Sequence, residues 1–141
     1  METTYINQIW LIAVVLIIAA FVIYYFRSRK AEEERVDQSN YLLALKYIAE
    51  GDYRSAIDKL KAVVRQDTEN IDAYIKLGDV LRHLKLYNNA IRIHKDLTLR
   101  GNIPEKQIRD IWFSLAMDYW LANKMDSAEH YLKKLLPYKQ Y

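Results

Sequence analysis

The chain has 141 residues, enough for one modest domain and an appendage, and its formal net charge is +3 with a pI near 9.0. It has no cysteine, which excludes disulfides, thiolate metal sites and a cysteine nucleophile and agrees with a reducing compartment. From residue 31 onward the chain has 18 Lys and Arg and 17 Asp and Glu. The basic excess therefore lies mostly before residue 31 and does not indicate nucleic-acid binding.

An uncharged apolar run extends from Ile9 to Phe26. Because roughly 20 helical residues cross a hydrocarbon core of about 30 Å, we predict a transmembrane helix over residues 6–26. Trp10 lies near one end of the run and Tyr24 and Tyr25 lie near the other, where amphipathic rings favour the membrane interface. The lipid bilayer is therefore a predicted partner.

Two alternatives compete with a membrane span. A cleaved signal peptide needs a basic start and small residues before the cut, whereas this chain starts Met1-Glu2 and its run ends in Tyr24-Tyr25-Phe26. A buried core helix of this length needs a larger surrounding domain than the chain supplies. The membrane span is the preferred interpretation.

The charges after the span predict its orientation. Arg27, Arg29 and Lys30 follow the run, and only Glu2 precedes it. Lys and Arg remain on the cytoplasmic side, so we expect the N-terminus outside and the remainder of the chain in the cytoplasm. Residues 27–36 are predicted to form a charged juxtamembrane linker.

After the span, apolar residues recur at helical spacing and a motif repeats, so the predicted fold class is all-α. Tyr53-x-x-Ala56-Ile57 recurs as Tyr87-x-x-Ala90-Ile91 after 34 residues, and a third copy is centred on Ala128, 38 residues later. The first helix of each unit carries a large residue, then Leu followed by Ala or Gly, then another large residue. This pattern resembles the tetratricopeptide signature, and it predicts three helix pairs, at 37–70, 71–104 and 109–137.

Each predicted unit has a small residue on its first helix, at Ala44, Gly78 and Ala116, which lets the second helix approach closely. The longer connection before the third unit contains Gly101 and Pro104. We expect Gly101 to end a helix in the left-handed conformation and Pro104 to lie in the first turn of the next.

The sequence shows no catalytic pattern. His83, His94 and His130 fall in three different predicted helices without metal-ligand spacing, and no phosphate-binding loop or nucleophile motif occurs. His94 stands at a normally apolar position, where a hydrogen-bonded core histidine is the preferred interpretation. We predict neither an enzyme nor a cofactor or metal site.

A protein-binding groove is predicted on the inner stripe of the first helices, which line the concave face of such stacks. An apolar groove suits an amphipathic helix or an extended segment of a partner protein. The alternative is that the third-unit part of the stripe packs against a neighbouring unit or a membrane-proximal helix. The predicted groove residues are Tyr41, Leu45, Ile48, Ile75, Asp79, Arg82, Phe113, Met117 and Trp120.

The last predicted helix carries Leu132, Leu135 and Leu136 without a polar capping helix after them. Repeat stacks need a polar outer face at their ends. We therefore expect an exposed apolar edge there, which a partner or self-association would cover.

The layout also resembles the lipopolysaccharide assembly protein B family of bacterial inner-membrane tetratricopeptide proteins. The resemblance rests on the anchor followed by Arg and Lys, the string from Ala90 to Leu97, the longer connection before Asp118-Tyr119, and the run from Asp126 to Glu129. It implies an adaptor that links envelope-biogenesis regulation to a membrane protease. Family members continue to a rubredoxin-like domain that holds metal through four cysteines, and this chain lacks cysteine, so metal binding is not carried over.

The predicted function is a membrane-anchored protein-binding adaptor or assembly scaffold on the cytoplasmic face of a bacterial inner membrane, in envelope biogenesis or proteolysis regulation. The alternative is a small accessory subunit of a larger membrane complex, held mainly through its span. Only Ala13, Ala19 and Ala20 interrupt the large side chains of that span, which offers a modest helix-packing interface.

Overall fold

The computed structural model describes residues 2–138, except for the side chains of residues 2–9, 11, 33, 34 and 37. The described part contains helices and no strand, which confirms the all-α prediction. Contacts divide the chain into two compact units, residues 1–36 and residues 37–141. The helices are α1 (Glu2–Glu50), α2 (Tyr53–Gln66), α3 (Ile71–His83), α4 (Tyr87–Leu97), α5 (Glu105–Leu121), α6 (Met125–Leu135) and a 3-10 turn, Leu136–Tyr138.

The N-terminal unit contains one helical stretch long and apolar enough to cross a membrane. Its 21 residues, Ile12–Glu32, have a mean hydropathy of 1.8, and none of the apolar window is buried against protein. This exposure is not what a core helix of the chain would show. The predicted span begins earlier, at residue 6, and the side chains of residues 6–9 and 11 lie outside the described residues. Residues 27–36, predicted as a linker, are helical.

The predicted membrane-flanking side chains are exposed around this stretch. The side chains of Trp10, Tyr24 and Tyr25 are all exposed. The guanidinium carbon of Arg29 lies 5.5 Å from the centre of the Tyr25 ring, within cation–π distance. Arg27 and Lys30 are exposed beside it. Aromatic rings next to cations are typical of a membrane–water boundary.

In the second unit, three helix pairs follow one another: the end of α1 with α2, α3 with α4, and α5 with α6. The two helices of each pair are joined by the same tight turn, in which a left-handed residue follows the first helix. That residue is Gly51 (φ 78°), Lys85 (φ 62°) or Asn123 (φ 59°).

The backbone hydrogen bonds of the three turns are also equivalent. After the first pair, Gly51 N–H donates to Ile48 and Asp52 N–H donates to Tyr47. Lys85 and Asn123 repeat the first bond, and the residues after them repeat the second. This is the Schellman arrangement that satisfies the last carbonyls of a helix. The sequence repeat is therefore a repeat of turn geometry.

Helix starts are fixed less uniformly than helix ends. The Asp52 carboxylate accepts a hydrogen bond from Ser55 N–H (3.1 Å) at the start of α2, and Asn70 Oδ1 accepts one from Ala73 N–H (3.0 Å) at the start of α3. Such caps satisfy amides that have no partner within the helix. At α4 and α6 the cap residues Leu86 and Lys124 make no side-chain cap bond.

The expectation that Gly101 is left-handed, in the longer connection before the third unit, was wrong. The left-handed residue there is Asn102 (φ 57°), and Gly101 does not adopt a positive φ. Asn tolerates this conformation because its short polar side chain can bond locally. Pro104 precedes the first helical residue, Glu105, and occupies the cap position with an extended backbone (φ −55°, ψ 142°).

Two apolar clusters form the core of this unit. The first lies between the first two helix pairs and contains Ala44, Ala56, Leu60, Leu77 and Val80. The second lies between α3, α4 and α5, around Ile75, Ile91, Leu97, Ile111 and Leu115. Helix α5 contacts both α3 and α4, so the third pair packs against both helices of the second.

Candidate protein-binding surface

The predicted groove residues occupy three equivalent positions in each unit. Adding 34 to Tyr41, Leu45 and Ile48 gives Ile75, Asp79 and Arg82, and adding a further 38 gives Phe113, Met117 and Trp120. Their exposure differs strongly between units, because the next helix pair covers the stripe of the pair before it.

In the first unit the three stripe residues are half-buried. Tyr41 and Ile48 pack against the first apolar cluster. Burial, and secondarily the charge of Asp72, raises the pKa of the Tyr41 hydroxyl. These side chains therefore contribute to the core as much as to an accessible surface.

In the second unit Ile75 is only 6% exposed, because it belongs to the second apolar cluster with Ile111 and Leu115. It therefore offers almost no surface to a ligand, contrary to its predicted place in the groove. Asp79 and Arg82 retain 20% and 14% of their side-chain exposure and are bonded to each other. Their other hydrogen-bond partners lie on α5, so they too belong mainly to the junction between the second and third units.

The junction between these units holds an ionic cluster, made of Asp79, Arg82, His94, Ser114 and Asp118. Arg82 donates to Asp118 Oδ1 (2.8 Å) from one guanidinium nitrogen and to Asp79 Oδ1 (2.5 Å) from the other. The Ser114 hydroxyl donates to Asp79 Oδ1 (3.0 Å). Burial alone lowers the pKa of Arg82, but the attraction of Asp79 and the bonds to both carboxylates outweigh it and raise that pKa. The guanidinium is therefore bound on both sides.

His94 is completely buried in this cluster, which confirms the core-histidine interpretation. Its Nδ1 lies 2.6 Å from Asp118 Oδ2 and its Nε2 lies 3.1 Å from the Ile75 carbonyl oxygen. Both partners accept hydrogen bonds, so both ring nitrogens donate only when the ring carries two protons.

Gly78 makes room for the His94 ring. A Cβ at position 78 would overlap His94 Nε2 and lie 2.5 Å from its Cε1. The units on either side have alanine at this position, Ala44 and Ala116, and leucine opposite it at Leu60 and Leu132. The second unit therefore combines the smallest possible residue with a buried imidazole.

In the third unit the same stripe is open. Phe113 is 55% exposed and Trp120 is 52% exposed, with Met117 half-buried between them. Leu132 on α6 (49%) and Leu136 in the following 3-10 turn (62%) are also exposed, so the predicted apolar edge is present. We call Phe113, Met117, Trp120 and Leu132 together the third-unit face.

Other surface features do not coincide with this face. A shallow depression of about 370 Å³ lies beside the turns of the second and third pairs, lined by residues that include Lys85, Asn88 and Lys124. None of the predicted groove residues lines it. Among the residues that the structure describes, no cluster of three or more His, Asp and Glu side chains is placed to hold a metal ion.

Sequence reasoning missed Asp118 and Ser114, which bind the groove candidates Asp79 and Arg82 across 35 or 36 residues. The signal was available in the repeat itself. Asp118 stands where the preceding unit has Val80, and His94 stands where the unit before it has Leu60. Two polar residues at core positions of adjacent units can pair across their junction.

The paired helices and repeated turns resemble a tetratricopeptide stack. The tetratricopeptide repeat family model matches residues 47–102, which include most of the first two helix pairs. Proteins built from this repeat bind other proteins as scaffolds and are typically non-enzymatic.

Among curated proteins, the chain is similar to lipopolysaccharide assembly protein B of Escherichia coli K12, with 25% identity over 130 residues. The match covers 89% of this chain and 33% of the relative. The proteins of the same name from strains O6:H1 and O157:H7 match equally. The chain thus spans about one third of the length of these relatives. Together with this similarity, its apolar N-terminal helix is consistent with a bacterial membrane anchor.

Two solved structures share the fold. MamA AMB-1 superposes with a TM-score of 0.58 at 24% identity, covering 70% of this chain and 51% of that one. A MamA D159K mutant gives a TM-score of 0.59 at 22% identity, covering 74% and 57%. At this identity the similarity concerns the helical stack alone.

Proposed function

We propose that the chain is a membrane-anchored adaptor that holds a protein-binding repeat stack at the cytoplasmic side of a bacterial inner membrane. One observation carries the proposal: the third unit leaves Phe113 and Trp120 on α5 and Leu132 on α6 exposed, on a fold whose known use is protein binding. Exposed apolar patches of this kind are typical of interaction sites. No catalytic or cofactor role is part of the proposal, and neither is nucleic-acid binding.

The similarity to lipopolysaccharide assembly protein B favours a role in envelope biogenesis or in the regulation of proteolysis there. The orientation is inferred from Arg27, Arg29 and Lys30, which follow the apolar stretch directly. It can be tested cleanly because the chain has no cysteine of its own. In intact spheroplasts, an impermeant maleimide should label Thr4→Cys, and it should label Leu99→Cys only after permeabilisation. The reverse pattern would refute the orientation.

Partner binding is tested by quantitative affinity purification from native membranes. Phe113→Ala combined with Trp120→Ala should lose a specific set of partners that the wild type retains. A matched control is Leu42→Ala with Leu99→Ala, which removes two exposed apolar side chains elsewhere. If the double variant at Phe113 and Trp120 keeps every partner, binding does not use this surface.

The alternative role is an accessory subunit held by its span. Exchanging residues 6–26 for an unrelated transmembrane helix distinguishes this role from the adaptor role. An adaptor should keep its partners after this exchange. An accessory subunit should lose them while tolerating the changes at Phe113 and Trp120.

A further inference from the structure

His94 and Asp118 form a buried pair that the proposed function does not use. Both side chains are 0% exposed, and they join α4 to α5 at the second junction, between the second and third helix pairs. His94 Nδ1 lies 2.6 Å from Asp118 Oδ2, and its Nε2 lies 3.1 Å from the Ile75 carbonyl oxygen. Each of these two contacts between a ring nitrogen and an oxygen needs one proton to be a hydrogen bond. The geometry therefore requires two protons on the pair.

This requirement does not depend on where the shared proton lies. Either the ring carries both protons and faces an ionised Asp118, or the Asp118 carboxyl keeps the proton that lies between them. If the pair loses one proton, a nitrogen lone pair faces an oxygen of Asp118 or the Ile75 carbonyl oxygen. The nitrogen cannot bond to water instead, because both side chains are fully buried. Two acceptors that face each other in a buried site destabilise it.

The charged groups around the pair act in the same direction. Helices α3 and α5 pack against α4. From α3, Asp79 Oδ1 lies 3.9 Å from His94 Nε2, and Arg82 donates to Asp118 Oδ1 (2.8 Å). From α5, the group that faces the ring is Asp118 itself. If the pair loses a proton while Asp79 is ionised, Arg82 balances only one of two negative charges, and a buried charge without a partner is costly.

The first junction, between the first and second helix pairs, does not have this requirement. Leu60 and Val80 occupy the positions equivalent to His94 and Asp118. Both are buried in the first apolar cluster, and neither side chain has a proton to exchange. A change of pH therefore acts on the second junction and leaves the first unaffected.

We propose that the second junction is a proton-dependent contact, which holds the third helix pair while His94 and Asp118 share two protons and loosens when rising pH removes one. Histidine is the side chain whose charge ordinarily changes near neutral pH. The attachment of α5 and α6, which carry Phe113 and Trp120, then depends on pH. The inference goes beyond the adaptor function and does not rest on it.

The direction of the pH dependence follows from the number of protons bound. In an unfolded chain between about pH 4 and about pH 6.5, histidine carries both ring protons and aspartate carries none, so the unfolded pair binds two protons, as the folded pair does. Above about pH 6.5 the unfolded chain loses one proton and the folded junction retains it. Unfolding is therefore favoured as pH rises, by at most about tenfold in the equilibrium constant per pH unit.

Urea unfolding of the full chain in detergent micelles, from about pH 6 to about pH 9, tests this direction. The control is His94→Leu combined with Asp118→Val, which introduces the residues of the first junction. The unfolding equilibrium constant of the wild type should rise relative to that of the control by about tenfold or more over this range. All other titratable groups are common to both proteins, so the difference reports on the pair.

A second measurement shows which junction loosens. The chain has no cysteine, so Leu115→Cys and Val63→Cys each introduce a single thiol, one in the second apolar cluster and one in the first. Leu115 is 0% exposed and Val63 is 1% exposed, so either thiol reacts only after local opening. The labelling rate at position 115 divided by that at position 63 should rise with pH. In the His94→Leu and Asp118→Val background this ratio should stay constant.

Asp118→Asn is a second control if the double variant does not fold. Its amide group can donate to Nδ1 while Nε2–H donates to the Ile75 carbonyl oxygen, so a neutral His94 ring satisfies both contacts. The pH dependence should disappear in this variant as well. Parallel pH profiles of the wild type and its controls, a wild type that gains stability relative to them as pH rises, or a labelling ratio that does not change with pH would overturn the proposal.

Discussion

The first and second junctions of the repeat stack use equivalent positions but opposite chemistry. The first brings together Leu60 and Val80 in an apolar cluster, whereas the second brings together His94 and Asp118 in an ionic one. Both are fully buried. The repeat therefore specifies the shape of a junction, through the small residue and the turn, and leaves its polarity open. The third-unit face is the same position without a covering helix.

The largest expected effect comes from breaking the ionic junction on one side. Asp118→Val leaves Arg82 and His94 without their shared carboxylate, so we expect a loss of about 3–5 kcal/mol of unfolding free energy. Urea unfolding of the full chain in detergent micelles measures this loss. Asp110→Val on the exposed face of α5 is the matched control and should cost little.

A complementary variant replaces the ionic residues of the second junction with the apolar residues found at the equivalent positions of the first. Asp79→Leu, Arg82→Ile, His94→Leu and Asp118→Val together introduce the residues of the first unit and its neighbour. Because a buried ion network is often replaceable by apolar residues of similar volume, this variant should be at least as stable as the wild type. If it is as unstable as Asp118→Val alone, the two junctions do not share one geometry.

The next effect concerns the small residue that shapes the junction. Gly78→Ala places a methyl group against the His94 ring, 2.5 Å from its Cε1, and that ring is fixed by two hydrogen bonds. We expect a loss of about 1–3 kcal/mol. Gly101→Ala, where an added Cβ meets nothing within 4 Å, should leave thermal unfolding nearly unchanged. Equal behaviour of the two variants would show that the close approach at position 78 is not limiting.

A smaller effect is expected at the repeated turns. Lys85 and Asn123 adopt the left-handed conformation that Gly51 adopts without strain. Lys85→Gly should therefore stabilise the domain by about 0.5–1 kcal/mol, and Gly51→Ala should destabilise it by about 1 kcal/mol. The sign of the change in melting temperature shows whether Lys85→Gly relieves backbone strain. A destabilising Lys85→Gly would mean that the lysine side chain contributes more than its backbone strain costs.

The smallest effect depends on pH at the start of α2. The side-chain hydrogen bond with Ser55, followed by the backbone bond from the same residue, lowers the pKa of the Asp52 carboxyl below its ordinary value of 3.8. Its capping contribution is therefore complete above that value and is lost as pH falls through the folded-state pKa. The protection of the Ser55 amide, measured as the ratio of its intrinsic to its observed exchange rate at each pH, should fall on acidification in the wild type but not in Asp52→Asn. Identical pH profiles would contradict this cap.

The repeat period, the three pairs and the small residues followed from the sequence because the motif recurs at a fixed spacing. The groove was harder to predict, since periodicity gives the side of a helix and not the neighbour that covers it. Ile75 was expected at the surface for this reason, although α5 covers it. The partners of Asp79 and Arg82 lie 35 or 36 residues away, beyond any local pattern. Gly101 was expected to be left-handed because glycine prefers this conformation, yet Asn102 adopts it.

Photo-cross-linking in native membranes tests most directly whether the third-unit face binds another protein. A benzophenone amino acid is placed at position 132 or 120, with position 99 as an exposed control. We expect positions 132 and 120 to cross-link to the same partner polypeptide and position 99 not to do so. Absence of adducts at 132 and 120, adducts shared with position 99, or adducts to a second copy of this chain would contradict the binding of another protein at this face.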